Sequence, residues 1–446
     1  MIATNDKRQT YQRTVDYLFS RLPMFSKIGA AAFKKDLVNI RKLCDFLGDP
    51  HTKFKSIHIA GTNGKGSVSH MLAAILQKAG YKTALYTSPH LKDFRERIKI
   101  NGEMIDETFV VDFTERIKPV IDEIEPSFFE ITVAMAFEYF AQQKIEVAVV
   151  ETGLGGRFDS TNIITPELSI ITNIGWDHMN ILGDSLEKIA FEKAGIIKQR
   201  VPVVVGEVLP ETEKIFTQIA NEKDAPISNA SAKKQAITWH WEKPTRRTGG
   251  IELVVEVASQ HKTDHQLYHL DLPGIYQTKN LITVLEVCSQ LQQHGWKIGE
   301  EHIKTGLRQA KQNTGLHGRW EVIHPHPLVI LDVAHNEAGV KMLMEQVEVT
   351  DHERLHIVLG IVKDKDPQRV LQLFPKLADY YFTQADIPRA MNAETLRQQA
   401  AAFGLKGEVF PDVNAAMKAA LARAAKNDMI LVCGSIFLVG ELNVEL

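Results

Sequence analysis

The amino-acid sequence predicts an α/β protein with two domains, and three observations support that prediction. Between about residues 55 and 205, short apolar runs alternate with longer segments of helical periodicity. A second series of the same kind starts near Trp320. With 446 residues, the chain is also too long for one compact core. Strands that alternate with helices are typical of a parallel sheet with helices on both faces.

The first series begins with a strand that leads into a glycine-rich turn. Residues 56–61 (SIHIAG) are predicted as a buried strand, and residues 68–80 as a helix that ends at Gly80. Further strands are predicted at residues 82–88, 146–153 and 167–175. The carboxyl ends of such strands form the edge at which ligands bind in open α/β folds.

The pattern changes between about residues 231 and 274. Polar and apolar residues alternate in three segments, residues 237–242, 251–259 and 265–274. This alternation predicts a small antiparallel excursion at the edge of the first domain. A predicted helix at residues 279–293 follows, and the second βα series starts beyond a glycine-containing stretch, QNTGLHG.

Composition and charge exclude several classes of protein. Apolar residues make up 44% of the chain, which argues against wholesale disorder, and the formal net charge of -3 offers no basic footprint for nucleic acid or membrane. Three scattered cysteines and an N-terminus without an apolar core fit a reducing compartment. We therefore expect a soluble, cytoplasmic monomer that binds neither nucleic acid nor membranes.

The strongest motif is IHIAGTNGKGS at residues 57–67. A strand, a turn with three glycines and a helix follow one another directly, which is typical of an anion-binding loop at a helix N-terminus. Lys65 adds a positive charge for the outer phosphates, and Ser67 offers a hydroxyl to Mg²⁺ or phosphate. The predicted phosphate-binding residues are Gly61, Thr62, Asn63, Gly64, Lys65, Gly66 and Ser67.

Acidic residues and a histidine follow two other predicted strands. Glu151 ends one strand before the glycine-rich segment GLGGRFDSTN, and Asp177 and His178 follow the next strand. Carboxylates beside a phosphate loop suit Mg²⁺. Asp184 and Glu187 predict a capping-box helix start, which places Lys193 in the last turns of that helix. Composition alone favours a solvated Lys193.

Other polar residues fall at strand ends but are weaker signals. Ser88, Pro89 and His90 follow the strand at residues 82–88, and the basic residues after them, including Arg97, form either a solvated face or a steering surface. In the second series the junction residues are Arg319, Asp332, His335, Asn336, Lys363, Lys365 and Ser435. Each alone is ordinary loop chemistry, but together they favour a ligand site.

The chain resembles the folylpolyglutamate synthase/dihydrofolate synthase family of Mur ligases. The resemblance rests on motifs in family order and spacing: AGTNGKGS, LYTSPH, VVETGLGGRFDSTN, DHMNILGDSLEKIAFEKAGIIK, HGRWE, DVAHN and KDKD. It implies a P-loop-containing ATPase domain at residues 1–312, a linker at 313–318 and a Rossmann-like glutamate ligase domain at 319–446. The implied reaction is ATP-dependent: a folate or dihydropteroate carboxylate is phosphorylated, and L-glutamate attacks the acyl phosphate.

The resemblance also implies residue roles. Lys65, Lys193, Asp332 and His335 would be catalytic, and Asn280, Arg319 and Asp332 would contact the nucleotide from the second domain. Metal ligands would be Ser88, Glu151, His178 and a carbamylated Lys193, which would hold the second of two Mg²⁺ ions. Ser88, Pro89, His335 and Ser435 would bind substrates, and either Phe128 or Phe129 would stack on the pterin.

Two alternative functions stay open on the sequence. One is a Mur-type ligase that joins an amino acid to a carboxylate other than folate. The other is a P-loop nucleotide switch without ligase activity. The second domain, together with Glu151, His178 and Lys193, favours a ligase over the nucleotide switch.

Overall fold

The chain forms two compact units, which are described separately below. A computed structural model describes residues 2–23, 29, 34–243, 250–260, 262–363 and 367–443. The first unit comprises Met1–Ile174, Met179–Asp271 and Thr278–Leu316. The second comprises Gly175–His178, Leu272–Gln277 and His317–Leu446. Two short segments of the N-terminal part of the chain therefore belong to the second unit.

The first unit contains an eight-stranded sheet in the order β4-β3-β2-β5-β1-β6-β7-β8 among the described residues. The strands are β1 (Lys55–Ala60), β2 (Thr83–Tyr86), β3 (Ile98–Ile100), β4 (Glu103–Met104), β5 (Val147–Glu151), β6 (Leu168–Ile171), β7 (Val203–Val205) and β8 (Ile227–Asn229). β3 and β4 pair antiparallel at one edge, and the other strands are parallel. β1 lies between β5 and β6, so the turn that follows β1 is flanked by the ends of both neighbours.

Helices cover this sheet. They are α1 (Ile2–Arg21), α2 (Val38–Phe46), α3 (Lys65–Lys78), α4 (Glu107–Ile124), α5 (Phe128–Gln142), α6 (Met179–Leu182), α7 (Leu186–Ala194), α8 (Pro210–Glu222) and α9 (Ala230–Lys233). α3 starts at Lys65, three residues before the predicted start. It ends as predicted, because Gly80 adopts a φ of 90° and its N–H bonds to the carbonyl of Gln77.

The predicted antiparallel excursion is a three-stranded sheet in the order β11-β10-β9. Its strands are β9 (Lys234–Glu242), β10 (Glu252–Ser259) and β11 (Lys262–Leu270). Burial alternates along much of β9, where partly buried and exposed residues follow one another. In the central strand β10, residues 252–255 are all buried. The helices α10 (Gln277–Gln293), α11 (Glu300–Arg308) and α12 (Ala310–Thr314) follow, and Gly315 ends α12 with a φ of 65°.

The second unit contains a six-stranded sheet in the order β12-β13-β17-β14-β15-β16 among its described residues. The strands are β12 (Glu321–Pro325), β13 (Leu328–Leu331), β14 (Leu355–Leu359), β15 (Asp379–Phe382), β16 (Gly407–Val409) and β17 (Met429–Cys433). The helices are α13 (Glu337–Glu348), α14 (Pro367–Leu371), α15 (Ala393–Ala401), α16 (Val413–Arg423) and α17 (Ile436–Gly440). β12 pairs antiparallel with β13, whereas all other pairs in this sheet are parallel.

The predicted fold class is confirmed, and two local predictions need correction. α7 is capped by Ser185, whose hydroxyl accepts a hydrogen bond from the N–H of Lys188, and not by Asp184. Arg97 is buried, with 7% of its surface exposed, so it does not belong to a solvated basic face. Lys365 and most of the turn between β9 and β10 lie outside the described residues. None of the helices in the described ranges has both the length and the apolar character that crossing a membrane requires.

Candidate active site

The phosphate loop after β1 requires glycine at two positions. A Cβ atom on Gly61, which has a φ of 150°, would lie 1.8 Å from the Thr172 hydroxyl oxygen. A Cβ atom on Gly64, which has a φ of 82°, would lie 2.2 Å from Oδ1 of Asn280. Both residues are therefore fixed by close neighbours as well as by backbone conformation. Asn280, assigned above to the second domain, instead lies in the first unit against this loop.

The loop backbone is tied to the segment that follows β6. Asn173 accepts hydrogen bonds from the N–H groups of Thr62 (3.0 Å, through its carbonyl) and Asn63 (2.9 Å, through Oδ1). The Thr172 hydroxyl donates to the Asn63 carbonyl at 2.6 Å. The helix α3 follows directly, and its first turn contains Gly66 and the buried Ser67. The first N–H groups of an α-helix make no hydrogen bond within the helix. Anions bind to such groups at a helix N-terminus.

Lys65 and Lys193 converge on one carbonyl oxygen. The Lys65 ammonium donates to the carbonyl of Gly61 at 3.0 Å and to that of Thr62 at 3.3 Å. The Lys193 ammonium donates to the same Gly61 carbonyl at 2.7 Å. Lys193 is buried, with 5% of its surface exposed, so the solvated lysine that composition favours is wrong. The structure thus brings two cationic side chains together at the phosphate loop.

Glu151 lies at the carboxyl end of β5, next to β1. Its carboxylate is buried and accepts a hydrogen bond from the N–H of Ser88 at 3.3 Å. The peptide bond between Ser88 and Pro89 is cis. Glu151 and Ser88, both predicted metal ligands, are therefore neighbours in the first unit. His178, the third predicted ligand, belongs to the segment that groups with the second unit.

The segment after Glu151 is organised by Asp159, a residue that the sequence analysis did not single out. Its carboxylate accepts hydrogen bonds from the N–H groups of Leu154 (2.8 Å) and Thr161 (3.0 Å) and from the Thr161 hydroxyl (2.5 Å). Burial raises the pKa of Asp159 above its ordinary value, although these hydrogen bonds act in the opposite direction. The motif DSTN itself, with its short polar side chains, was the available signal for this role.

The two candidate phenylalanines occupy different environments. Phe128 is buried, with 4% of its surface exposed, and its ring stacks on Phe19 at a centroid distance of 5.1 Å. Phe129 is partly exposed and lies against Gly153, where a Cβ atom would be 2.5 Å from the ring. Phe128 therefore packs in the core, whereas Phe129 borders the segment that follows Glu151.

The buried Arg97 pairs with the partly buried His90 beside Phe128. The Arg97 Nε donates to Nδ1 of His90 at 2.7 Å, and its guanidinium lies 5.4 Å from the centre of the Phe128 ring. Burial, followed by the charge of Arg97, lowers the pKa of His90 to about 3. A neutral imidazole can accept this hydrogen bond, so His90 is a structural partner of Arg97.

In the second unit, Asp332 is a buried carboxylate at the end of β13. It accepts hydrogen bonds from the Tyr276 hydroxyl (2.7 Å) and from the N–H groups of Trp320 (2.8 Å) and Ala334 (2.9 Å). Burial raises the pKa of Asp332 above its ordinary value, and the nearby charge of Arg319 opposes that effect. The Arg319 guanidinium also donates to the carbonyl of Gly318 at 3.1 Å.

His335 lies next to a carboxylate in the same unit. Its Nδ1 lies 2.9 Å from the carbonyl of Val333, and its Nε2 lies 3.6 Å from Oδ2 of Asp177. The Asn336 amide also donates to Asp177, at 3.1 Å. His178 has a φ of 50° and its Nε2 is 3.8 Å from Oδ1 of Asp177. Asp177 therefore connects the segment after β6 with the DVAHN motif.

Ser435 marks another strand-to-helix junction of the second unit. It is buried after β17 and caps α17, since its hydroxyl oxygen accepts a hydrogen bond from the N–H of Phe437 at 3.2 Å. Its neighbour Gly434 adopts a φ of 103°. This cap fixes the direction of the chain as it leaves β17.

One group of described residues has the spacing of metal ligands, but it is not the predicted one. Glu242, Glu252 and His269, one from each strand of the three-stranded sheet, bring their ligand atoms together, and Glu252 is buried. Arg308 donates to both carboxylate oxygens of Glu252, at 2.8 and 2.9 Å. Because a guanidinium already neutralises this carboxylate, the group fits an ion-pair network better than a metal centre.

Comparison with known proteins identifies the family of this chain. Residues 59–288 match the model of the Mur ligase middle domain, and residues 318–436 match that of the Mur ligase glutamate ligase domain. The dihydrofolate synthase/folylpolyglutamate synthase of Bacillus subtilis is 32% identical over 98% of this chain and 99% of its own length. The chain belongs to the folylpolyglutamate synthase/dihydrofolate synthase family.

Solved structures of family members superpose along most of the chain. Escherichia coli FolC in complex with DHPP and ADP has a TM-score of 0.80 and 29% identity, and the match covers 96% of each chain. A bifunctional folylpolyglutamate synthase/dihydrofolate synthase with Mn, AMPPNP and L-glutamate bound has a TM-score of 0.75 and 28% identity over 91% of this chain and 93% of that one. Family members thus bind a nucleotide, a divalent metal and small-molecule substrates.

Proposed function

We propose that this protein is an ATP-dependent amide ligase that adds L-glutamate to the carboxylate of a folate. The proposed activity is that of a folylpolyglutamate synthase. We include dihydropteroate as a second substrate of the same site, which would give dihydrofolate synthase activity. The convergence of Lys65 and Lys193 at Gly61, in a chain with both Mur ligase domains, carries this proposal. We further propose that the enzyme acts as a cytoplasmic monomer, with the domain limits predicted from the sequence.

The first step is phosphorylation of the folate carboxylate. A carboxylate oxygen attacks the γ-phosphorus of ATP, and the bond from that phosphorus to the β,γ-bridging oxygen breaks. ADP leaves with the bridging oxygen, and the folate carries the γ-phosphoryl group as an acyl phosphate. The N–H groups of the first turn of α3 and the Lys65 ammonium would hold the phosphates, and Ser67 would add a hydroxyl. These groups neutralise charge where it develops, and the step requires no covalent nucleophile of the protein. Asn280 would approach the nucleotide from its position against Gly64.

The donor groups in the first unit fit Mg²⁺. Glu151 supplies a buried carboxylate and Ser88 a neighbouring hydroxyl, which are the hard oxygen ligands that Mg²⁺ prefers. When bound, Mg²⁺ would supply positive charge to the phosphate oxygens. The assignment of His178 to the same ion stays a prediction.

A carbamate on Lys193 would resolve the convergence of two cations on one carbonyl. Without modification, Lys65 and Lys193 place like charges around Gly61. A carbamate would make Lys193 an anion beside the Lys65 cation, and its oxygens would suit a second Mg²⁺. Burial of Lys193 against the loop supports this proposal, because a modified side chain held there would face the phosphates.

The second step delivers L-glutamate, whose amine attacks the acyl carbon and releases phosphate. We propose that His335 and Ser435 bind this amino acid at the strand ends of the second unit. The Val333 carbonyl, 2.9 Å from Nδ1, holds the His335 ring, and the Asp177 carboxylate lies 3.6 Å from its Nε2. Arg319 and Asp332 would contact the nucleotide, and Tyr276 and the N–H of Trp320 hold the Asp332 carboxylate in place.

On the folate side, Phe129 is the better candidate for the pterin contact. It is partly exposed and borders the segment after Glu151, whereas the Phe128 ring is enclosed by the aromatic rings of the core. A stacking partner needs an accessible ring face. Ser88 and Pro89 would also contact the folate, close to the Glu151 carboxylate.

A turnover assay tests the function and separates it from its alternatives. We expect sustained ADP release, over many turnovers, from ATP and Mg²⁺ only when L-glutamate is present together with a folate or dihydropteroate. A Mur-type ligase for another carboxylate would leave both folate substrates unused, and a nucleotide switch would release ADP independently of glutamate. Omitting each substrate in turn provides the controls, and mass spectrometry of the folate product gives the number of added glutamates.

A further inference from the structure

Asn162, the last residue of the DSTN motif, joins two segments of the active site. Its amide nitrogen donates hydrogen bonds to the carbonyls of Arg157 and Gly195, both at 3.0 Å. The side chain is buried, with 5% of the residue exposed. The Asn162 carbonyl in turn accepts a hydrogen bond from the Lys198 ammonium at 2.8 Å. One short side chain therefore connects the turn after Glu151 to the residues that follow α7.

The two segments pack backbone to backbone. A Cβ atom on Gly156 would lie 2.7 Å from the Lys193 carbonyl, and one on Gly195 would lie 2.4 Å from Cα of Arg157. The Arg157 N–H donates to the Glu192 carbonyl at 2.8 Å. Because no side chain separates these segments, a shift of one moves the other.

The amide of Asn162 is used for its donors. Its Oδ1 is buried and has no hydrogen-bond partner among the described residues, while both bonds of the side chain come from Nδ2. A buried acceptor without a partner costs free energy. The two hydrogen bonds from Nδ2, which hold two backbone carbonyls together, offset this cost.

We propose that Asn162 is a positioning residue that fixes Lys193 relative to the metal-binding segment that starts at Glu151. It acts through the end of α7, and it touches neither substrate nor nucleotide in this role. The inference rests on the proposed function of Lys193 and Glu151. It assigns a role to Asn162, which has none in that proposed function.

The test compares Asn162→Asp and Asn162→Ala with the wild-type enzyme. Aspartate has the shape of asparagine, but it places a carboxylate oxygen, which can only accept hydrogen bonds, opposite the two carbonyls that Nδ2 of Asn162 binds. Alanine removes the amide altogether. Two readouts are needed. The first is kcat and the KM for ATP. The second is the rate at which acetic anhydride modifies individual lysines in bicarbonate-free buffer, where Lys193 carries a free amine, followed by peptide mass spectrometry. Lys188, exposed on the same helix, is the internal reference, and Lys99, buried elsewhere in the first unit, reports general loosening.

We expect kcat to fall by about 10- to 100-fold in both variants, because displaced catalytic groups cost that much, while the KM for ATP stays within about twofold. Lys193 should become several-fold more reactive relative to Lys188, with Lys99 unchanged. Unchanged Lys193 reactivity, or equal increases at Lys193 and Lys99, would overturn the proposal. If Asn162→Asp fails to fold, Asn162→Ala decides the question by the same measurements. Lysine modification is measured without turnover, so it tests the position of Lys193 alone. A failure of the proposed function would appear separately, as absent glutamate ligation by the wild-type enzyme.

Discussion

Replacing Lys193 with alanine should reduce glutamate ligation by about 10³-fold, while ADP still binds. The Lys193 ammonium is buried on the Gly61 carbonyl. Its removal eliminates a charged group from the loop that we propose holds the transferring phosphate. If the lysine is carbamylated, the variant also loses an anionic ligand. Short carboxylic acids that fill the vacated space should therefore restore part of the activity.

Steady-state kinetics, together with thermal shifts on ADP addition, measure this effect. Lys188→Ala is the matched control, because it removes a lysine from the same helix at a position that pairs only with Asp184 in the described contacts. Intact-protein mass spectrometry in bicarbonate should show one added CO₂ in the wild type and none in Lys193→Ala. Wild-type turnover of Lys193→Ala would contradict the proposed role.

Lys65→Ala should lower kcat by about 10²- to 10³-fold with little change in folding stability. Its ammonium lies on the loop carbonyls of Gly61 and Thr62 at the first residue of α3, outside the apolar core. The substitution removes one positive charge from the loop that we propose binds the transferred phosphate. Lys78→Ala, at the other end of the same helix, removes an equal charge from outside the loop and should leave kcat nearly unchanged.

Because both lysines share the Gly61 carbonyl, their effects should not add. When two groups act as one unit, replacing both lowers kcat little more than the more damaging single replacement does. The double variant Lys65→Ala/Lys193→Ala should therefore match the slower of the two single variants. Multiplicative losses in kcat would show that the two side chains act independently, against the geometry described here.

Local patterns were sufficient to predict the parts of the site that are formed by neighbouring residues. The strand, glycine turn and helix around Gly64 follow one another in the chain, and their order already predicts an anion-binding loop. The position of Glu151 at a strand end was predictable for the same reason, since parallel strands end at one edge of the sheet. The strands β3, β4 and β8 were missed because two or three residues are too few to show a period.

Contacts between distant parts of the chain could not be read from such patterns. Lys193 reaches the Gly61 carbonyl across 132 sequence positions, and only the fold decides that it is buried and not solvated. Asn280 packs against Gly64 from α10, although the resemblance suggested a role from the second domain. The choice between Phe128 and Phe129 likewise depended on Phe19, which arrives from α1.

Isotope transfer tests the proposed chemistry most directly. The carboxylate of the folate substrate is labelled with ¹⁸O, and the inorganic phosphate released in one turnover with ATP and L-glutamate is analysed by mass spectrometry. An acyl phosphate formed at the Lys65 loop requires one carboxylate oxygen to leave with the phosphate, so the account predicts one ¹⁸O atom in each phosphate released. Unlabelled phosphate, in a reaction that still forms the glutamate amide, would contradict it.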